Sequence, residues 1–238
     1  MIDVARVARR RIRRIVGTVI AVLFVVVANA PSAVRVAVNY EVHTEQVPLY
    51  QKALAFVDRD VQMRALAGRL TAGLHDRGAM IERLFAWSHD NVRPVPPGLP
   101  IVDDYVYNVV VRGYGTHDQA ADVFVELCGY VGVEGRLVFS RDGGRVLYSF
   151  ALLALDGEWR PFDVREGRIF RWPDARIATL SDLRSHPELV AAVPTPAEAR
   201  DAYPVFFEKL DLTDVRPVAD QMPLVRLIRE IGRLLPHG

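Results

Sequence analysis

The first third of the chain combines one long uncharged run with two segments of helical periodicity. Residues 15–34 carry no charged side chain, and about twenty helical residues span about 30 Å, the thickness of the hydrocarbon core of a bilayer. Residues 49–74 and 80–92 then repeat apolar side chains at helical spacing. The pattern predicts one transmembrane helix followed by two amphipathic helices.

The middle of the chain has the pattern of a capped helix followed by an antiparallel meander. Thr116 precedes the apolar stretch 117–130, and Gln119 stands three residues later, which is the spacing of a capping box. Before this helix, the β-branched run 105–111 predicts an extended segment. Helices followed by strands indicate an α+β fold. Turn sequences at 142–144 and 156–157 separate three strand-like runs, which are residues 134–140, 145–155 and 158–164.

The last fifty residues are predicted to form a helical extension that prolines divide into short pieces. Within it, residues 224–235 place a wide apolar face opposite Arg226, Arg229 and Arg233. A basic amphipathic helix of this kind binds a membrane surface or a partner, or it packs on its own domain. The sequence leaves these interpretations open.

The charge is distributed unevenly along the chain. Six of the first 14 residues are arginine and one is acidic, although the whole chain has a net charge of only +1. Positive charge next to an uncharged helix predicts a cytoplasmic N-terminus, with the main domain outside the inner membrane in the periplasm. A cleaved signal ending at Ala30 and a buried soluble helix are the alternatives. The residues predicted to contact the membrane are Arg9, Arg10, Arg11, Arg13, Arg14 and Phe24.

Composition excludes several classes of function. The chain has a single cysteine, Cys128, so it has neither an internal disulfide nor a cysteine-based zinc cluster. It contains no glycine-rich phosphate loop and no HExxH metal motif. Its small net charge argues against a dedicated nucleic-acid-binding protein. We therefore expect no metal, no cofactor and no nucleic-acid partner.

Four short motifs follow one another in the middle of the chain, namely Gly115-Thr116-His117-Asp118-Gln119-Ala120-Ala121, Gly132-Val133-Glu134-Gly135-Arg136, Asp156-Gly157-Glu158-Trp159 and Phe162-Asp163. Together they resemble the core of the transglutaminase-like superfamily, over roughly residues 64–166. The resemblance implies a papain-like core, in which a helix carrying the nucleophile packs on an antiparallel sheet.

Two of the three catalytic positions of that family hold other residues here. His117 stands at the nucleophile position and Tyr148 at the position of the basic histidine, while Asp163 keeps the family identity. Cys128 cannot replace the nucleophile, because eleven residues of helix place it about 16 Å from His117. The resemblance therefore implies a degenerate triad and a non-catalytic domain. An alternative is a residual hydrolase or acyltransferase that uses His117, Ser149 and Asp163.

The sequence thus predicts a membrane-anchored binding or scaffold subunit of a membrane or envelope assembly. Its partners would be the lipid bilayer and other membrane or periplasmic proteins. Candidate binding residues are Tyr114, His117, Asp118, Gln119 and Trp159. The predicted divisions are a tail at 1–14, an anchor at 15–34, an extended linker at 35–48, a transglutaminase-like domain at 49–185 and a helical extension at 186–238.

Overall fold

A computed structural model shows helices before and after an antiparallel sheet. It describes residues 4–39, 41–103, 105–142, 145–192, 202–213, 215, 217–218 and 222–234. The described helices are α1 (Val4–Ala28), α2 (Leu49–Leu70), α3 (Arg77–Asn91), α4 (Val106–Arg112), α5 (His117–Tyr130), α6 (Leu180–Ser185), α7 (Glu188–Ala191), α8 (Ala202–Lys209) and α9 (Pro223–Leu234). The described strands are β1 (Pro31–Val38), β2 (Glu41–Pro48), β3 (Arg93–Pro94), β4 (Val102–Asp103), β5 (Tyr114–Gly115), β6 (Gly135–Asp142), β7 (Arg145–Leu155), β8 (Glu158–Asp163) and β9 (Arg168–Ile169).

The N-terminal helix differs from the transmembrane helix predicted over residues 15–34. Helix α1 ends at Ala28, and the chain enters strand β1 at Pro31. The uncharged part of the helix is therefore residues 15–28, which span about 21 Å against the roughly 30 Å of a bilayer core. No helix in the described part of the chain is both long and apolar enough to cross a membrane. The predicted transmembrane helix is wrong.

Membrane contacts were predicted for the arginines and Phe24 because a transmembrane helix was predicted there. Without that helix, the structure does not support these contacts. Side chains of Arg11, Arg13, Arg14 and Phe24 lie exposed along α1, whereas those of Arg9 and Arg10 lie outside the described residues. The extracytoplasmic location depended on the same segment and stays a prediction.

The segment predicted as an extended linker, residues 35–48, lies within a β-hairpin. Strands β1 and β2 pair antiparallel from Pro31 opposite Pro48 to Val38 opposite Glu41. Strand β4 pairs with the other edge of β1 and completes a three-stranded sheet. The β1–β2 hairpin leads directly into α2, which begins at Leu49 as predicted.

The central sheet has the order β6-β7-β8-β9, and its first three strands confirm the predicted meander. Its β7–β8 turn is Asp156-Gly157, where both residues have positive φ, 54° and 80°, as a two-residue type I′ turn requires. The other predicted turn includes Gly143 and Gly144, which lie outside the described residues. Helix α5 packs on β6 and β7, so the predicted capped helix and meander form one unit.

Both faces of the central sheet are buried, because successive side chains of a strand point to opposite sides. Ala151, Leu153 and Leu155 of β7 join a core with α2, α3, α4 and α5. Phe150 and Leu152 join a second core with the C-terminal helices. The C-terminal extension is thus part of the domain and packs on one face of its sheet.

The extended segment predicted at 105–111 is wrong, because these residues form the short helix α4. Val106 and Val109 are buried at helical spacing, and Gly113 ends the helix in the left-handed conformation, with φ of 71°. Burial of two valines outweighs the modest preference of β-branched residues for strands.

The amphipathic C-terminal helix packs on its own domain. Helix α9 lies against α2, and a Cβ at Gly129 of α5 would lie 3.4 Å from the sulfur of Met222, just before α9. Part of the apolar surface of α9 stays uncovered, since Ile228 is 69% exposed. Of the interpretations that the sequence left open, the structure shows docking in cis.

Candidate functional site

The candidate site lies at the N-terminal end of α5, where several of the predicted binding residues form the first turn of the helix. The Gln119 carboxamide oxygen accepts a hydrogen bond from the Thr116 backbone N–H at 3.1 Å and from the Arg112 guanidinium at 2.9 Å. The Thr116 hydroxyl donates to the Asp118 carboxylate. Gln119 and Asp118 therefore hold the helix start in place.

The turn after β8 is tied to this helix start by Arg165. Its guanidinium donates hydrogen bonds to the backbone carbonyls of Gly115 and Val92. The half-buried Arg165 thereby brings positive charge close to His117. Burial, and then the charge of Arg165, lower the pKa of His117, so that its imidazole is neutral at neutral pH. No hydrogen bond of His117 is found among the described contacts.

Asp163, the position that matches the family acid, lies in a buried network. Its carboxylate accepts hydrogen bonds from the Tyr203 hydroxyl at 2.7 Å, from Arg168 at 3.2 Å and from the Glu166 backbone N–H at 3.2 Å. Arg168 also donates to the Tyr203 oxygen and to the Glu166 carboxylate, each at 3.1 Å. Burial raises the pKa of Asp163, and these donors oppose that shift. All described hydrogen bonds of the Asp163 carboxylate are thus made with groups inside the folded domain.

Tyr148 and Asp163 lie on the side of the sheet that faces the C-terminal helices. The Tyr148 ring packs edge-on against the Tyr203 ring, with centroids 5.0 Å apart. Phe162 packs on Phe124 of α5, so strand alternation directs its neighbour Asp163 to the opposite face. The structure therefore does not join these two side chains with His117 as a triad.

The other two candidate nucleophiles are inaccessible. Ser149 points to the α5 face of β7, is 3% exposed, and its hydroxyl has no described hydrogen-bond partner. Cys128 is completely buried and free, and burial raises the pKa of its thiol well above the ordinary value. Neither group is available to a substrate in this conformation.

The candidate binding residues divide into two groups. Tyr114, His117, Asp118 and Gln119 lie together at the start of α5, and the Arg112 guanidinium lies 5.5 Å from the Tyr114 ring. Trp159 lies beside the β7–β8 turn, where its ring packs in the second core and lies under the Arg136 guanidinium at 4.7 Å. The structure does not bring Trp159 to the helix start.

Three residues of this region were missed in the sequence: Arg165, Arg168 and Tyr203. Arg168 could have been found, since it follows Asp163 by five residues across a tight turn and pairs directly with it in β8 and β9. No sequence pattern links Tyr203 to Asp163, because the two residues are 40 positions apart in the chain. Within the described residues, no group of three histidine, cysteine or acidic side chains is placed to hold a metal ion.

Comparison with known proteins leaves the family open. No protein-family model matches the chain, and no curated protein matches it. A crystal structure of a candidate protease from Parabacteroides distasonis is a distant match, with a TM-score of 0.36 and 13% identity over 57% of this chain and 36% of that chain. The chain thus spans just over a third of the length of that protein. The match does not confirm the transglutaminase-like superfamily and assigns no activity.

Proposed function

We propose that this chain is a non-catalytic transglutaminase-like domain that binds other proteins, as a scaffold subunit of a larger assembly. The observation that carries the proposal is the state of Asp163, whose carboxylate is shared between Arg168 and Tyr203. A triad acid must instead accept a hydrogen bond from its basic histidine and orient it. Here an arginine and a phenol take that place.

The proton chemistry points the same way. The hydroxyl of Tyr203 is held by a buried carboxylate, and burial with the charge of Asp163 raises the pKa of this phenol. A phenol with a raised pKa does not accept a proton from a nucleophile at neutral pH. A neutral His117 that makes no described hydrogen bond to an orienting acceptor is likewise a poor general base.

An exposed apolar stripe on α2 supports the binding role. Its members lie on the side of the helix away from the buried Phe56 and Met63, and they recur at the 4-3-4 spacing of a helix-docking seam. The α2 stripe consists of Tyr50, Leu54, Val57 and Val61, exposed by 42%, 64%, 42% and 55%. A contiguous apolar stripe on a helix is typical of a surface that a second protein covers.

The test combines activity with association. The tagged full-length chain is expressed in the organism that produces it and purified together with its bound partners. The amount of each partner is then measured for the wild type, Leu54→Glu and Val111→Glu. Val111 is a matched control, because it is 67% exposed and lies outside the stripe. We expect the Leu54→Glu variant alone to lose its stoichiometric partner. Equal partner recovery from all three chains would contradict the binding role, and amide or ester hydrolysis abolished by His117→Ala would contradict the non-catalytic role.

A further inference from the structure

The space between α2 and α5 buries several carboxylates close to α9. Asp60 of α2 and Glu126 of α5 are only 4% and 2% exposed, and Asp122 lies one helical turn before Glu126. Asp60 accepts hydrogen bonds from Arg64 and from the Tyr130 hydroxyl. One oxygen of Glu126 has no described hydrogen-bond partner. A buried carboxyl oxygen without a donor is costly, and a hydrogen-bond donor from a ligand would satisfy it.

An arginine and an aromatic ring lie beside these carboxylates. Arg226 of α9 lies close enough to Glu126 for its charge to stabilise the carboxylate. The same guanidinium lies 5.0 Å from the centre of the Tyr105 ring. Tyr105 also receives the Arg59 guanidinium at 3.5 Å. Carboxylates beside an aromatic face match the planar, delocalised charge of a guanidinium better than the compact charge of an ammonium.

We propose that Asp60, Asp122, Glu126 and Tyr105 form a guanidinium-binding pocket, and that Arg226 is its tethered ligand in this structure. The ligand class is the side chain of an arginine in a polypeptide. An arginine-bearing segment of another protein would therefore compete with α9 for the pocket. The inference is independent of the function proposed above, because it involves neither the Asp163 network nor the α2 stripe.

The charge of the pocket depends on pH. Burial, followed by the charge of Asp122, raises the pKa of Glu126 to about 8, with Asp60 acting in the same direction and Arg226 opposing. Tyr130 faces the same carboxylates. Burial, and then the charge of Glu126, raise the pKa of its phenol, so it stays neutral. Glu126 thus gains its negative charge above about pH 8, and we expect the pocket to bind a guanidinium more tightly there.

Chemical rescue of the full-length chain tests the pocket. Arg226→Ala removes the tethered guanidinium, while the Arg59 guanidinium on Tyr105 and the apolar side chains of α9 remain. We expect the melting temperature to fall by about 3–6 °C, and about 10 mM guanidinium chloride to restore at least half of the loss through binding to the folded state. Methylammonium chloride at the same concentration should restore much less. The restored fraction should rise from pH 7 to pH 9.

Two further variants make the result specific. Arg229→Ala removes an exposed arginine from the same helix and should show no guanidinium-dependent recovery. Adding Glu126→Gln to Arg226→Ala should abolish the recovery. If Arg226→Ala does not fold, Arg226→Lys takes its place, since it keeps the charge and loses the planar fork. Absence of recovery, equal recovery with methylammonium, or recovery that survives Glu126→Gln overturns the proposal.

Discussion

At the residue scale, two buried carboxylates are accommodated in different ways. Asp163 receives three donors, including the arginine directly opposite it in the next strand. Glu126 keeps an oxygen without a described donor, and its pKa is raised to about 8. The first carboxylate is therefore held by hydrogen bonds, whereas the second is tolerated because it stays protonated at neutral pH.

The protonation of Glu126 predicts a pH-dependent stability. Its pKa is about 8 in the folded chain against an ordinary 4.5, so the folded state binds a proton that the unfolded state has released. The stability must therefore fall as pH rises between these values. We expect the melting temperature of Glu126→Gln to match the wild type near pH 4 and to exceed it by roughly 5 °C at pH 9.

Asp58→Asn is the control for this pH series, because Asp58 is an exposed acid on α2. It should leave the pH dependence of the melting temperature unchanged. Parallel pH profiles for wild type and Glu126→Gln would show that the carboxylate is already ionised in the folded chain.

Removing the hydroxyl of Tyr203 tests the Asp163 network. Tyr203→Phe deletes the donor to Asp163 and the acceptor of Arg168, while it keeps the ring in the second core. Loss of one partner of a buried charged hydrogen bond costs about 1–3 kcal/mol, which urea denaturation measures. Tyr50→Phe, on the exposed stripe, should change the free energy of unfolding by less than about 0.5 kcal/mol. Equal effects of the two substitutions would mean that the network adds nothing to stability.

At the element scale, the close approach of α5 to the first strand of the sheet depends on a missing side chain. A Cβ at Gly135 of β6 would lie 2.2 Å from the Cγ1 atom of Val125 in α5 and 3.1 Å from Leu153. Atoms cannot approach so closely, so an added methyl group must displace the Val125 side chain or the helix that carries it.

Two glycine substitutions of the same kind are therefore expected to act in opposite directions. Gly135→Ala should lower the free energy of unfolding by about 2 kcal/mol or more. Gly68→Ala lies within α2 with nothing within 4 Å of the added carbon, and it should raise the free energy of unfolding by about 0.5–1 kcal/mol. Chemical denaturation of the two variants gives the comparison, and a tolerated Gly135→Ala would contradict the helix–sheet packing.

At the scale of the whole molecule, the two ends of the chain contribute differently to the fold. Described side chains of α1 are exposed along residues 11–27. In contrast, Tyr203 and Phe207 of α8 are buried against Phe150 of the sheet and Phe170 just after it. The C-terminal extension therefore belongs to the core, and the N-terminal helix does not.

Truncation from either end tests this difference. A chain without residues 1–28 should keep its melting temperature within about 2 °C, since it loses no member of either core. A chain that ends at residue 201 exposes the aromatic face of β7 and should lose cooperative thermal unfolding. Calorimetry and near-ultraviolet circular dichroism measure both. A cooperative transition in the chain without α8 and α9 would contradict the second core.

Local patterns in the sequence determined the elements whose signal lies in a few adjacent residues. Thr116 and Gln119 predicted where α5 begins, and Asp156-Gly157 predicted the β7–β8 turn, because capping and turn conformations depend on neighbouring residues. Only the tertiary structure decided the rest. The valines of α4 became helical through burial, and the uncharged part of α1 ends at Ala28. Tyr203 reaches Asp163 from a distant helix, since long-range packing and hydrogen bonding depend on which surfaces the fold brings together.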